Sequence, residues 1–516
     1  MRPKIISAAD AAALVCDGMT LSIGGGGAGH AVPDRLMEAL GDRYRQTGFP
    51  RELTIFHVCG LGENDRRGLN HLAQEGLVAT CIGGFWGNAP KMGILGMEGK
   101  IRGYNFPQGV LSHLVRAMAG GEDGLLTSIG LHTFVDPRYE GGKINAATTD
   151  DRVELTTLNG KEYLFYQSIP LDVVFIRGSA VDKEGNLTME EEVGTFSMLS
   201  LAQAVKSNGG IVIAQVKKIN STQSAVPVQV KVPAVLIDYV VEVPDQTMTF
   251  ITDYEEAFIR RDAPFTQNEL RLEGIKKIIA RRAAMELPQN GLVNLGYGMP
   301  DGVSTVAKQE GVDKNIVLMI EQGQTDGVIT TGLNFGAMYN PAAITDEGYQ
   351  FDFFHGGGLD ICYLGFAQVD AMGNVNSSRF GRVHTGCGGF IDISQNTKKI
   401  VFCGTFAAKA DIEVSENGLN VKDPGAIKKF IKKVEQVTFN GQYAMERGKE
   451  VFYCTERALF KLTPEGLKMV EIAPGIDLEK DILAMMEFTP QVDEAMKTMD
   501  SRIFKTGKMG LVLKGE

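Results

Sequence analysis

A faint internal repeat constrains the possible folds more than any other feature of the sequence. Residues Asp172 to Leu187 read DVVFIRGSAVDKEGNL, and residues Asp360 to Val375 read DICYLGFAQVDAMGNV. Each gives an acid, a buried-strand run, small residues, then Val-Asp-x-x-Gly-Asn and an apolar residue, at an offset of 188. Further on, Gly209 to Val216 (GGIVIAQV) faces Lys398 to Thr405 (KKIVFCGT), with the offset changed by one. Self-similarity at a fixed spacing means that one supersecondary arrangement has been used twice.

The two halves also begin alike. Ser7 and Asp10 stand as N-cap and reciprocal acid before the helical stretch Ala11–Val15. Thr266 and Glu269 repeat that spacing before a helix predicted to end near Pro288. In the first half a strand at Met19–Ile23 leads into the glycine loop Gly24–Gly29 and then Pro33-Asp34. In the second, a strand at Leu292–Leu295 leads into Gly296-Tyr-Gly-Met-Pro-Asp.

Short strands alternate with helical stretches along the rest: Leu53–Val58, Val173–Ile176, Ile211–Ala214, Ile316–Ile320, Ile361–Leu364 and Ile400–Cys403. That alternation predicts parallel sheets covered by helices. A chain of 516 residues also exceeds what one core supports. The expected fold is therefore α/β, with two related open domains and mainly parallel sheets. The domains are predicted at 1–250 and 265–516, divided within Val243–Phe265, where polar residues replace the periodic apolar ones.

Composition excludes several functions. The net charge is −11 with no lysine/arginine run, which argues against a nucleic-acid face. No run of about 18 apolar residues could span a bilayer, and the opening MRPKIISAADAAALV lacks a signal-peptide core. Seven scattered cysteines, without any CxxC pair, predict neither a disulfide framework nor a zinc site, and fit a reducing cytoplasm. The histidines at 30, 57, 71, 113, 132, 355 and 384 show no paired ligand spacing, so no metal is expected.

Open α/β sheets bind ligands beyond the carboxyl ends of their strands. Glu321 follows the predicted strand ending at Ile320, and glycines at 323 and 327 let the backbone turn beside its carboxylate. Such an acid either caps a turn or acts as a nucleophile, and its position alone leaves both open. Glycine-dense Phe351–Asp360 and Thr385–Phe390 expose backbone N–H groups suited to a tetrahedral oxyanion, although turns alone would also explain them. Gly24, Gly26 and Gly29 satisfy the dinucleotide spacing G-x-G-x-x-G. The acid that should follow at the end of the next strand is missing before Glu63, so a nicotinamide or flavin site is not expected. Cys387 has no identifiable general base, and Trp86 reads as a core or interface anchor.

Taken together, Gly298-Met-Pro-Asp-Gly-Val303, Ile320-Glu321-Gln-Gly323, Gln350–Asp360, Val369-Asp-x-x-Gly-Asn374, Gly386-Cys-Gly-Gly-Phe390 and Lys398–Thr405 form a specific set. Asn105-Phe-Pro-Gln-Gly109 and Phe134-Val-Asp-Pro-Arg138 join it from the first half. On these blocks, over essentially its full length, the chain resembles family I coenzyme A transferases of the fused acetate/propionate type. It is more distantly similar to succinyl-CoA:3-ketoacid CoA-transferase.

The resemblance implies that Glu321 is the catalytic glutamate and that the active site lies between the halves. It implies that Gln108 points into that site. It further implies that Gly298, Val303, Gly388 and Gly389 bind the substrate, with amides near Val303 and Gly388–Gly389 forming the oxyanion hole. Coenzyme A would be a substrate, no cofactor would be needed, and the chain would be a homotetramer or dimer in the cytoplasm. An acyl-CoA hydrolase on the same scaffold and a CoA-binding regulatory subunit are the alternatives. Two departures from relatives bear on specificity. Asp326 replaces a usual glycine and could raise the Glu321 pKa by like-charge repulsion or reshape the acyl pocket. The Cys59-Gly60 corner lacks the asparagine of the ketoacid enzymes, favouring short monocarboxylates. Arg379, Arg382 and Lys409 are candidates for meeting CoA phosphates, although solvated-surface roles suit each of them.

Overall fold

The computed structural model describes residues 2–27, 29–266 and 272–515. Two compact units divide the chain. One comprises Met1–Pro264, Glu321–Asp352 and Gly381–Asp392; the other comprises Phe265–Ile320, Phe353–Phe380 and Ile393–Glu516.

The sheet of the first unit runs Lys4–Ile5, Tyr239–Glu242, Ile211–Ile219, Val173–Val181, Thr20–Ile23, Leu53–His57, Val78–Gly83, Arg102–Asn105. Every neighbouring pair along that path is parallel. Strand order reverses beside Thr20–Ile23, which has Leu53–His57 on one side and Val173–Val181 on the other. The glycine loop thus leaves the sheet at its topological switch point, where doubly wound folds place ligands. Strand Val173–Val181 is buried at every position, as expected of a strand covered on both faces.

The sheet of the second unit runs Ile316–Leu318, Gly291–Leu295, Ile361–Gly365, Lys399–Cys403, Glu450–Cys454, Ala458–Thr463, Gly466–Ile472, Gln491–Thr498. Its first five strands are parallel, and an antiparallel hairpin extends it.

The repeat is physical. Val173 lies opposite Ile211, and Ile361 opposite Lys399, a separation of 38 residues in both units (211 − 173 and 399 − 361). The offset therefore remains 188, and the one-residue change read from the sequence is corrected. The acid before each strand fastens its neighbour: Asp172 accepts from the Thr20 N–H at 2.8 Å, and Asp360 from the Leu292 N–H at 2.9 Å. The Val-Asp-x-x-Gly-Asn turns match as well. Asp182 accepts from Glu184 and Asn186 N–H, and Asp370 from Met372 and Asn374 N–H.

The first capping box is present, with Ser7 and Asp10 bonded reciprocally ahead of a helix at Ala8–Ala13. The second differs from expectation. The helix occupies Gly274–Ala284 with Glu273 at its N-cap position rather than Thr266, and Glu269 lies outside the described residues.

Candidate active site

Glu321 opens a segment that belongs to the first unit although the chain reaches it from the second. The strand before it ends at Leu318 instead of Ile320, so Glu321 sits in a turn, partly exposed. Gly323 makes that turn possible: its φ is +103°, and a Cβ would stand 2.1 Å from the Thr345 carbonyl oxygen. Gly327 is equally crowded, by Met338 and Tyr339 at 2.8 Å. Gln324 anchors the segment by donating to the Val193 and Phe258 carbonyls at 3.0 and 2.9 Å.

Gln108 is the first residue of helix Gln108–Ala119, in the same unit. Its backbone N–H donates to the Gly388 carbonyl at 2.9 Å, and its side-chain amide donates to Glu347 at 3.2 Å. Gly109 follows because nothing larger fits. A Cβ there would lie 2.6 Å from the Phe351 ring and 2.7 Å from Asp392, whose carboxylate accepts the Gly109 N–H at 3.0 Å. Gly109→Ala is expected to displace the start of this helix and reduce CoA transfer about tenfold or more, at the scale misplaced positioning groups show. Comparing kcat/KM with a melting curve checks it, since a loss confined to stability would contradict the positioning role.

Glu347 was not singled out from the sequence, yet it is the hub of this site. It is fully buried and accepts from Gln108 and from Ser197 Oγ at 2.9 Å. Ser197 in turn shares a hydrogen bond with Ser112 at 2.8 Å. Burial, then the neighbouring charges of Asp346 and Glu321, push the Glu347 carboxyl up to about 8 against the two hydrogen bonds. Cys59 belongs to the same cluster: its thiol is raised by burial first and also by Glu347 and Glu321, and it accepts the Gly27 N–H at 3.3 Å. Because the raised carboxyl keeps its proton in the fold, its stabilising effect is complete below about 4.5 and is lost as pH rises to about 8. Unfolding midpoints should fall across that window in the wild type, and Glu347→Gln should remove that part of the slope; an unchanged slope would contradict the assignment.

The glycine loop at the switch point packs against side chains. Cβ atoms at Gly24, Gly26 and Gly29 would meet Met198, Phe196 and Phe250, each within 2.4 Å. The dinucleotide spacing is thus a packing pattern. His30, at the end of the loop, is fully buried, and burial then Arg177 lower its pKa to about 3.

Among the remaining sequence candidates, Gly388 and Gly389 lie in the first unit, while Gly298 and Val303 lie in the second. The Gly388 N–H is occupied by the Gly84 carbonyl at 2.8 Å, and the Val303 N–H by Pro300 at 3.0 Å. Gly389 N–H donates to no protein acceptor among the described residues. The Cys387 thiol is buried and raised by burial and by Asp392, which suits a structural residue. Trp86 is buried, donates to the Gly83 carbonyl at 3.2 Å and meets His57 and His384 edge-on. Asp326 pairs with Arg261 at 2.9 Å. Arg379 donates to the Glu435 carbonyl, whereas Arg382 and Lys409 are exposed. No group of His, Cys, Asp and Glu able to hold a metal, and no helix able to cross a membrane, occurs among the described residues.

Residues 5–243 match the coenzyme A transferase family. The acetate CoA-transferase YdiF of Escherichia coli K12 is 44% identical over 516 residues, covering 99% of this chain and 97% of the relative. The caffeate CoA-transferase of Acetobacterium woodii is 43% identical, covering 98% of each. The crystal structure of the acyl-CoA transferase YdiF apoenzyme from Escherichia coli O157:H7 superposes with a TM-score of 0.95 at 42% identity, covering 100% of this chain and 98% of that one. The same enzyme has been solved as a thioester complex with CoA, again with a TM-score of 0.95.

Proposed function

The chain belongs to the coenzyme A transferase family, as a fused single-chain member, and from that premise we propose that Glu321 is the nucleophile that carries CoA between two carboxylates. The observation that supports this most is a partly exposed carboxylate in a glycine-built turn, in the same unit as Gln108, Glu347 and the Gly388–Gly389 loop.

A Glu321 oxygen attacks the acyl-CoA carbonyl, the C–S bond breaks, and CoA thiolate leaves an acyl–glutamyl anhydride. The thiolate then attacks the glutamyl carbonyl, the bridging C–O bond breaks, and the first carboxylate departs. An incoming carboxylate reverses both steps. No water enters, so the thioester's free energy is retained. A carboxylate is the suitable nucleophile because donor and acceptor are carboxylates too, which makes the anhydride nearly symmetric and neither side a trap.

Each step develops an oxyanion, and one well-placed donor is worth about 3 kcal/mol there. The Gly389 N–H takes that role in this reading, because the Gly388 and Val303 N–H groups are already bonded. Gln108 supplies a side-chain donor. Binding of the remote part of CoA positions the thioester. The scheme needs no cofactor besides its substrate.

Short monocarboxylates such as acetate or propionate are the assigned acyl groups; the names of the two relatives above span acetate and the much larger caffeate. Asp326 pairs with Arg261, which offsets its charge. The reading extends to a cytoplasmic location, which seven free cysteines suit, and to a homotetramer or dimer, which sedimentation tests.

Initial rates with acetyl-CoA against varied propionate test the activity. Parallel double-reciprocal lines, with CoA release negligible when the acceptor is omitted, are expected of the ping-pong transferase. Acceptor-independent release at the full rate would instead indicate the hydrolase.

A further inference from the structure

We propose that Glu347 is a positioning residue that works with its proton on: the neutral carboxyl fixes the Gln108 amide, and loss of the proton switches acyl transfer off. The inference rests on the reading of Glu321 as nucleophile.

Two helices begin at this point, Gln108–Ala119 and Glu347–His355, each with one of the two residues in its first position. Among the described residues, the hydrogen-bond partners of the buried carboxyl are neutral: the Gln108 amide at 3.2 Å and the Ser197 hydroxyl at 2.9 Å. The titratable groups facing it are Asp346 on its own segment, Glu321 across the turn, and Cys59 beyond the strand Leu53–His57. Arg116, on the helix that Gln108 opens, pairs with Asp352 at 2.9 Å. Asp346 is itself held by Thr195 Oγ1 and the Ser197 N–H.

A buried carboxylate with two acidic neighbours is costly, and the cheaper state is the acid. Its pKa of about 8 accords with this. In the acid form the bond that Ser197 Oγ donates to the carboxylate is reversed: the Glu347 O–H donates to Ser197, whose hydroxyl passes the bond on to Ser112, while the other oxygen still accepts from Gln108. One Gln108 N–H is thereby fixed, and the second is aimed for the thioester oxygen. When Glu347 ionises, a second negative charge stands beside Glu321. It opposes both the developing oxyanion and the approach of an anionic acceptor.

The test is the pH profile of kcat/KM for acyl transfer in the thioester-to-carboxylate direction. In the wild type the value should fall tenfold per pH unit above about pH 8, as a single essential acid requires. Glu347→Gln mimics the neutral acid. It should cost about threefold to tenfold at pH 7 and abolish the alkaline fall, whereas Glu347→Ala should lose about 100-fold at all pH values. An unchanged alkaline limb in Glu347→Gln would overturn the proposal.

Should the glutamine variant fail to fold, infrared difference spectra of the wild type decide instead. Protonated-carboxyl absorbance must fall between pH 7 and 9, and no change across that window would refute the assignment. Borohydride labelling of Glu321 in the same samples separates the two claims. Label at Glu321 with an unaltered alkaline limb defeats only the Glu347 proposal, while no label at Glu321 defeats the nucleophile.

Discussion

Glu321→Gln should lower kcat/KM for CoA transfer by about 10⁴-fold or more, because a carboxamide cannot form the anhydride that every later step requires. The change is nearly isosteric at a partly exposed turn, so the melting temperature should stay within about 2 °C. Glu321→Ala should show the same kinetic loss, which separates absent chemistry from slow deamidation of the glutamine back to glutamate. Steady-state rates beside a thermal melt make the comparison. Activity within about tenfold of wild type in both variants would mean that some other residue carries CoA.

The second large effect is on stability. Arg177 and Glu192 form a two-pronged pair at 2.9 and 3.1 Å, with side chains only 3% and 1% exposed. Arg177 also donates to the carbonyls of Val32, just past the glycine loop, and Thr247. Burial raises the Glu192 carboxyl even with the guanidinium beside it, so the pair specifies geometry at considerable desolvation cost. Glu192→Ala strands a buried cation and should destabilise the fold by about 3–5 kcal/mol, a fall in melting temperature on the order of 10 °C. The double substitution Arg177→Met with Glu192→Leu should recover most of that loss. Additive destabilisation in the double variant would show that the pair is a net source of stability after all.

Much of this architecture was legible in the sequence because the repeat is tied to local chemistry. The Asp-x-x-Gly-Asn turns need their side chains to bond their own backbone, so Asp182 and Asp370 mark the same strand end in both units. The Ser7–Asp10 box was readable for the same reason, since cap and helix lie within one turn. Its supposed partner at Thr266 was not, because spacing alone cannot choose between competing N-caps. Glu321 could be placed beside its glycines, but nothing local told that residues 321–352 pack with the first unit.

The link from Gln108 to Glu347 spans 239 residues, beyond any periodicity. The only available signal was the acid pair Asp346-Glu347 shortly before the phenylalanines Phe351, Phe353 and Phe354. The amide donors were harder still. Glycine richness marked both Gly388 and Gly389, and only the fold shows that the Gly388 N–H is bonded to Gly84.

The most direct test of the mechanism is to trap the intermediate. Incubation with a short acyl-CoA in the absence of acceptor, followed by borohydride and proteolysis, should convert the Glu321 side chain to an alcohol. The peptide spanning Glu321 would then lose about the mass of one oxygen, as expected for a glutamyl–CoA thioester. Reduction confined to Glu321 is the predicted result. An unmodified Glu321 in protein that demonstrably binds acyl-CoA would contradict it.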